Sequence, residues 1–320
     1  MAAIPWMQAG PFGLMVHWLS HTQPRQGKGI ADWDEKVNAF NLDAFWNQVR
    51  QTGAKWLIFP FGQNTGLYCS PNAYLDECFP GLCSKRDLFR EIAQRAKADG
   101  IRMIAYIPSE ADVQPAETRR FWEWDLHPRD KSRFQQKFME FIRAYSVAHG
   151  DLIDGWWFDG CYDAIEKSFL RTRSWHNGRF DYPAWQAAVR AGNPRSVIAM
   201  CRGANDPGYV FREQDYLAGE CNDLDVLKCG GPLVDGMQWH ALLWIDCFWM
   251  HCEGPGPIQA PRFSLDDLYE FVHTSHRNGG GVTLNIGIYE DGSLAEESLQ
   301  QLIALREKMN QDAENSGTVG

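Results

Sequence analysis

Short apolar runs alternate with segments of helical periodicity along almost the whole length of this 320-residue chain. The alternation repeats about eight times, which is typical of βα units that build a parallel sheet. The length fits a single-domain α/β fold, a TIM-like (β/α)8 barrel, and a doubly wound open sheet is the alternative. Neither a G-x-G-x-x-G fingerprint after the first run nor a Walker loop is present, which argues against a dinucleotide or nucleotide site.

Apolar runs, and the glycines that end them, predict where the individual strands and helices lie. We predict strands at residues 12–18, 56–59, 103–107, 156–159, 197–200 and 282–286, with a short extended piece at 215–220. We predict helices at 43–52, 85–99, 129–149, 182–191, 295–310 and from Ser264 to the triple glycine 279–281. The barrel would occupy residues 1–312 and a disordered tail 313–320, and the Gly/Pro-rich region 206–261 would form long loops at the catalytic face.

The composition of the chain argues against several classes of binding partner. The net charge is −10 without any basic run, which argues against nucleic acid, and no stretch reaches the ~20 apolar residues of a membrane span. Fourteen tryptophans favour a carbohydrate ligand. The start, M-A-A-I-P-W-M-Q, lacks the features of a secretory signal, so we expect a cytoplasmic protein, although a trimmed chain would look the same.

The nine cysteines indicate free thiols in a reducing compartment, because the count is odd and no C-x-x-C pair occurs. A Cys78–Cys83 bridge across a loop is the alternative. We expect no metal site: His273 and His276 have a spacing that metals can use, but no third ligand is evident. No G-x-S-x-G elbow supports a serine hydrolase.

The stretch D-L-I-D-G-W-W-F-D-G, residues 151–160, carries the strongest functional signal. Its apolar core ends abruptly at Asp159, which predicts a buried strand with a carboxylate at its carboxyl end, where α/β barrels place their chemistry. The alternative is that Asp159 caps a turn, because Asp-Gly is also a common turn pair.

Enzymes that cleave glycosidic bonds need two carboxyl groups that flank the scissile bond. Asp159 is the first candidate for the nucleophile, and Glu220, which closes D-Y-L-A-G-E, is the first choice for its partner. Periodicity does not exclude five competitors, which are Glu110, Asp112, Glu213, Asp246 and Glu253.

Several segments, taken in order, resemble the catalytic domain of the retaining α-L-fucosidase family. They are P-W-M-Q-A-G-P-F-G-L-M-V-H-W, T-G-A-K-W-L-I-F, S-K-R-D-L-F-R-E-I-A with D-G-I-R-M-I-A-Y, D-G-W-W-F-D-G, M-C-R-G, D-Y-L-A-G-E and N-G-G-G-V-T-L-N-I-G-I-Y-E-D-G-S-L. The resemblance covers nearly the whole chain and implies double displacement, with Asp159 as nucleophile and Glu220 as acid/base. It also implies a site arginine, Arg202, and a substrate-binding His17–Trp18 pair.

The full set of candidate substrate-binding residues is His17, Trp18, Gln63, Asn64, Tyr106, Trp157, Arg202 and Trp249. Among them, Trp18, Trp157 and Trp249 would form a stacking wall. Arg202 and His17 would donate hydrogen bonds that keep Asp159 ionised. Each has a structural alternative, such as a core tryptophan or a buried histidine whose hydrogen bonds are satisfied.

The sequence departs from the family at two places. Family members carry adjacent histidines after the second strand, and here F-G-Q-N-T-G puts Gln63 and Asn64 there, which puts the sugar identity in doubt more than the reaction. The C-terminal β-sandwich that usually follows the barrel has no counterpart in these residues. A sugar-binding barrel without catalysis and a metal-dependent hydrolase on the same fold are therefore kept as rival hypotheses.

Overall fold

The computed structural model describes residues 3–126, 131–161 and 180–317. Within these ranges the chain is an α/β structure with parallel strands. The strands are β1 Gly13–Met15, β2 Trp56–Pro60, β3 Arg102–Pro108, β4 Gly155–Asp159, β5 Val197–Met200, β6 Glu220–Cys221, β7 Leu233–Val234, β8 Met237–Gln238, β9 His240–Trp244 and β10 Gly281–Asn285.

Helices connect most of the strands. They are α1 Pro5–Ala9, α2 Trp33–Ala39, α3 Leu42–Thr52, α4 Ala73–Cys78, α5 Leu88–Ala98, α6 Ala116–Trp122, α7 Ser132–His149, α8 Tyr182–Val189, α9 Leu265–Arg277 and α10 Glu296–Gly317. Side-chain caps begin several of them: at α9, for example, Ser264 accepts a hydrogen bond from the backbone N–H of Asp267. No helix in the described ranges is both long enough and apolar enough to cross a membrane.

Two predicted segments differ from the structure. The region 206–261 contains a core strand, β9, as well as loops. Its apolar residues were hidden between Gly/Pro-rich stretches, and a run this short has no periodicity of its own. Helix α10 continues past residue 310 to Gly317, so it includes the first part of the segment that we predicted to be a disordered tail, and 318–320 lie outside the described residues.

Eight strands form one parallel sheet in the order β5-β4-β3-β2-β1-β10-β9-β6, and β7 pairs with β8 in a separate antiparallel ribbon. Because all eight run in the same direction, their carboxyl ends meet at one edge. One apolar core fills the space between the sheet and the helices, and a second core lies inside the sheet, around Met15, Ile58, Ile104 and Leu242. The two cores explain why most strands are apolar on both faces.

The sheet curls so that its two ends approach each other. The backbone N–H of Asp215, just before β6, donates to the carbonyl of Ile198 in β5 at 2.8 Å. The indole N–H of Trp157 in β4 donates to the carbonyl of Ala218 at 3.1 Å. No strand pairing in the described residues joins β5 to β6, so the arrangement is that of a TIM-like barrel whose ladder is not closed.

A chain of polar groups crosses the inner core. The indole N–H of Trp56 donates to the hydroxyl of Thr283 at 2.7 Å, and that hydroxyl lies 2.7 Å from Nε2 of His240. His240 Nδ1 lies 3.0 Å from the carbonyl of Leu217, which identifies Nδ1 as the protonated nitrogen. Burial lowers the pKa of His240 to about 4, so the ring is neutral and its Nε2 accepts a hydrogen bond from the Thr283 hydroxyl.

We predict that Thr283→Val lowers the free energy of unfolding by roughly 1–3 kcal/mol, because it leaves the Trp56 N–H and His240 Nε2 buried without partners. Urea unfolding at neutral pH measures the change. Thr274→Val is the matched control, since the Thr274 hydroxyl bonds to Glu270 on an exposed helix surface. Equal effects of the two substitutions would contradict the prediction.

Candidate active site

Asp159, the last residue of β4, lies at the carboxyl edge of the sheet. The Tyr106 hydroxyl from the neighbouring strand donates to Oδ2 at 2.5 Å, and the Gln63 amide donates to the same oxygen at 3.3 Å. The backbone N–H of Gly160 donates to Oδ1 at 2.8 Å. Donors therefore reach both oxygens and fix the plane of this carboxylate.

The backbone after β4 turns sharply, and only glycine suits the turn. Gly160 has φ +76°, and a Cβ there would lie 2.6 Å from Cγ of Glu110. The carbonyl of Asp159 accepts hydrogen bonds from both the backbone N–H and the hydroxyl of Ser109, each at 2.7 Å. The Asp-Gly pair thus makes a turn and also presents a carboxylate, so the two interpretations of the motif are compatible.

Glu220 opens β6 and is partly buried. Gly219 before it has φ +65°, and a Cβ there would lie 1.9 Å from the carbonyl oxygen of His240, so β6 approaches β9 closely only because this residue is glycine. The Sγ–H of Cys201, which directly follows β5, donates to Oε2 of Glu220 at 2.9 Å. One ligand-type atom each from Asp159, Cys201 and Glu220 lie within 4.8 Å of one another.

Burial and the nearby Asp159 carboxylate both raise the pKa of Glu220, whereas the hydrogen bond from Cys201 lowers it. Burial is the largest cause. Glu220 therefore keeps its proton at a pH where an exposed glutamate, with a pKa of about 4.3, has lost it.

His17 lies beside this carboxylate pair as a neutral ring. Burial lowers its pKa, and the Asp159 charge offsets only part of that effect. Its Nδ1 lies 3.1 Å from the side-chain oxygen of Asn285, whose amide donates to the carbonyl of Trp249. Asn285 therefore orients both His17 and the Trp249 loop. His17 makes edge-to-face contacts with Tyr106 at 5.0 Å and Trp249 at 6.0 Å between ring centroids.

Gln63 belongs to the pocket, as predicted, but its amide group is committed to the protein. It donates to the Tyr106 hydroxyl at 2.5 Å as well as to Asp159. Its side-chain oxygen is buried and has no hydrogen-bond partner in the described part of the protein. Asn64 lies in the turn that follows, closed by a hydrogen bond from the Gly66 N–H to the Gln63 carbonyl, and its sugar contact stays a prediction.

The structure corrects two members of the predicted stacking wall. Trp18 is 1% exposed and packs in the outer core against Trp33 and Phe40, so it cannot face a sugar. Trp157 is 2% exposed and lies stacked against Tyr106 at 5.3 Å, where it supports the pocket from below. Trp157 lies within β4 and Trp18 in the loop after β1, and the sequence alone could not tell how deeply either ring is buried. Trp249 alone remains partly exposed.

In the described part of the protein, Arg202 makes neither a hydrogen bond nor an ion pair with Asp159. Its guanidinium forms an ion pair with Asp206 at 3.2 Å and donates to the carbonyl of Tyr209 at 3.2 Å. Tyr106 and Gln63 take the place that we assigned to Arg202 and His17 as donors to Asp159. A role of Arg202 in binding substrate stays a prediction.

The competing acids occupy other environments. Asp246 is buried but accepts backbone hydrogen bonds from Cys247 and Gly287, as a structural carboxylate does. Asp112 lies 3.6 Å from the guanidinium of Arg119. Glu213 and Glu253 are exposed, whereas Glu110 is buried beside the Gly160 turn.

Sequence reasoning missed Cys201 and Asn285. Cys201 directly follows β5 and Asn285 is the last residue of β10, so their positions at the carboxyl edge of the sheet were a usable signal. Neither was recognised, because a cysteine in an apolar run is usually a core residue and a single asparagine forms no distinctive pattern. All nine cysteines are free, so Cys78 and Cys83 do not form the bridge that we kept as an alternative.

Asp159, Cys201 and Glu220 form the group of possible metal ligands in the described residues, and His273 and His276 are not part of it. Metals bind the thiolate rather than the thiol. Burial and the adjacent carboxylates raise the pKa of Cys201 well above its usual value, so the sulfur keeps its proton. A metal ion that bound the sulfur would have to displace this proton.

Comparison with solved structures identifies similar folds. The endo-fucoidan hydrolase P5AFcnA of glycoside hydrolase family 107 matches with a TM-score of 0.65 at 14% identity, over 98% of this chain and 95% of that one. The α-L-fucosidase AlfC from Lactobacillus casei, solved with its α-L-fucose product, matches with a TM-score of 0.62 at 17% identity, over 96% and 98%. This chain shares its fold with glycoside hydrolases.

The endo-fucoidan hydrolase MfFcnA4 matches with a TM-score of 0.61 at 16% identity over 93% of this chain and 53% of that one, so the chain spans about half its length. No protein-family model matches the sequence, and no curated protein resembles it significantly in sequence. The resemblance to α-L-fucosidases inferred from the motifs is confirmed at the level of the fold.

We predict that Asp159→Asn lowers the pKa of Glu220, because it removes the nearby negative charge that disfavours the ionised form. The ¹³Cδ resonance of Glu220, assigned by its loss in Glu220→Gln, reports the titration by NMR. Asp266→Asn, which removes an exposed charge paired with Lys308, should leave the titration unchanged. An unaltered Glu220 titration in Asp159→Asn would show that the two carboxyl groups do not interact.

Proposed function

We propose that this protein is a retaining exo-glycoside hydrolase that acts on an α-L-fucoside or a stereochemically related glycoside. The observation that carries the proposal is the pair of carboxyl groups, Asp159 and Glu220, with oxygens within 4.8 Å. Retaining enzymes place their two carboxyl groups about 5–5.5 Å apart, whereas inverting enzymes need about 6.5–9.5 Å to admit a water. The folds of the similar structures, which include an α-L-fucosidase, support the substrate class.

The two carboxyl groups have environments that suit different roles. Glu220 keeps its proton, so it acts as the general acid that protonates the glycosidic oxygen. Asp159, held by Tyr106 and Gly160, attacks the anomeric carbon and forms the covalent glycosyl-enzyme. Glu220, now ionised, then removes a proton from water, which attacks the same carbon and releases the sugar with retained configuration.

The remaining pocket groups suit a neutral sugar. His17 is uncharged, and the buried side-chain oxygen of Gln63 can accept a hydrogen bond from a sugar hydroxyl. Trp249 offers a partly exposed ring beside His17. We further propose that the curled sheet acts as one (β/α)8 barrel domain and that the protein is cytoplasmic, in keeping with its free thiols.

A panel of 4-nitrophenyl glycosides tests the proposal, with the α-L-fucoside beside α- and β-configured galactosides, arabinosides and rhamnosides. We expect cleavage of the fucoside or of one relative, with the product released in the same anomeric configuration by NMR. Asp159→Asn should reduce turnover to background, whereas Asp266→Asn, which removes an exposed carboxylate paired with Lys308, should keep it. Circular dichroism should show the same fold for both variants.

Other outcomes would favour the rival hypotheses. Monosaccharide binding without any turnover would indicate a sugar-binding barrel, and loss of activity with chelator would indicate a metal-dependent hydrolase. Turnover by Asp159→Asn at the wild-type rate would refute the assignment of the nucleophile.

We predict that Tyr106→Phe lowers kcat/KM for the cleaved glycoside by roughly 10- to 100-fold, because a hydrogen bond to a charged group contributes about 1.5–3 kcal/mol. The Tyr106 hydroxyl both orients Asp159 and accepts from Gln63. Tyr145→Phe is the control, since that hydroxyl is buried in the helix layer and donates to the carbonyl of Ser70. Steady-state kinetics that show equal losses for the two variants would contradict a role in the site.

A further inference from the structure

We propose that Cys201 is a positioning residue for the general acid. Its thiol donates a hydrogen bond to Oε2 of Glu220, so the proton that is delivered to the leaving group is carried by Oε1. The inference rests on the proposed function and adds to it a residue that is not among the candidate site residues of the sequence. The geometry that supports it is the 2.9 Å contact between Sγ and Oε2.

The surroundings of the sulfur fix the direction of this hydrogen bond. The backbone N–H of Gly203 donates to Sγ at 3.3 Å, so the sulfur already serves as an acceptor. A thiol has a single weak donor, and Oε2 of Glu220 lies at hydrogen-bond distance, 2.9 Å, so the proton is directed to it. The backbone N–H of Cys201 donates to the carbonyl of Phe158 at 2.8 Å, which ties the residue to the Asp159 strand.

The consequence concerns which carboxyl oxygen is protonated. An oxygen that accepts a hydrogen bond from a thiol is disfavoured as the site of the acid proton, so the proton occupies Oε1. In the first step the Oε1 proton passes to the glycosidic oxygen as the C–O bond breaks and the Asp159–carbon bond forms. The leaving oxygen keeps the electron pair of the broken bond, and Glu220 is left as a carboxylate that still accepts from Cys201.

Burial shields the Cys201 thiol from solvent. It is 1% exposed and faces the inner core beside Ala199 and Ala218. The adjacent Cys221 offers a contrast, since it is equally buried but faces the outer core on the opposite side of β6 from Glu220. A buried thiol close to Glu220 in sequence is therefore available as a control.

The dependence of kcat/KM on the leaving group tests the proposal, because kcat/KM reports the step in which the proton is transferred. For Cys201→Ala we expect a loss of tenfold or more on a methyl or 4-methoxyphenyl α-L-fucoside, whose leaving groups need a proton, on the basis that general acids contribute roughly 10²–10⁴-fold. The 2,4-dinitrophenyl glycoside needs no proton and should react within about twofold of wild type, since the nucleophile is untouched. Cys201→Ser should recover most of the loss, and Cys221→Ala should show none.

If Cys201→Ala lowered kcat/KM equally for all leaving groups, the proposal would be overturned, because such a loss indicates general damage to the pocket. An unchanged kcat/KM for every leaving group would overturn it as well. A second measurement does not require turnover. The thiol hydrogen bond favours ionised Glu220, so Cys201→Ala should raise the pKa of Glu220 seen by ¹³Cδ NMR, and an unchanged titration would also overturn it. If wild-type protein cleaves no glycoside, the proposed function fails while the NMR titration still decides the role of the thiol.

Discussion

The site depends on the repulsion between two carboxyl groups that share a poorly solvated space. Asp159 and Glu220 have oxygens within 4.8 Å, and both burial and Asp159 favour the protonated form of Glu220. Two like charges at this distance in a low-dielectric site are costly, which favours a protonated Glu220. The double displacement that we propose needs such a division of roles, with a carboxylate that attacks and an acid that donates a proton. The remaining contacts decide which group keeps the proton.

The fold supplies those contacts through the register of parallel strands. Tyr106 lies opposite Trp157 in the ladder between β3 and β4, which puts its hydroxyl within reach of the carboxylate that ends β4. On the other side, Gly219 lets β6 approach β9, and Cys201 lies between the two carboxyl-bearing strands. The inner core beneath is braced by Trp56 and its polar neighbours. A displacement of any one strand along its axis would move a donor away from its acceptor.

The pocket also shows how the altered loop after β2 can serve a sugar site. Where family members carry histidines, Gln63 donates to both Tyr106 and Asp159, so an amide provides the hydrogen bonds without adding charge. Its remaining oxygen is buried and accepts nothing within the described residues. Under the proposed function, a sugar hydroxyl that donates to this oxygen would satisfy it.

The sequence by itself determined the alternation of strands and helices, the parallel sheet and the carboxylate at the end of the β4 strand, because apolar periodicity and glycine stops are local signals. It did not determine that Glu220 rather than Asp246 faces Asp159, that Trp18 lies in the outer core, or that Cys201 joins the site. Strand β9 also escaped it. Glu220 and Asp159 are close only because a sheet with β5-β4 at one end and β6 at the other curls until its ends meet. That closeness is set by the packing of residues far apart in the chain, which no local pattern records.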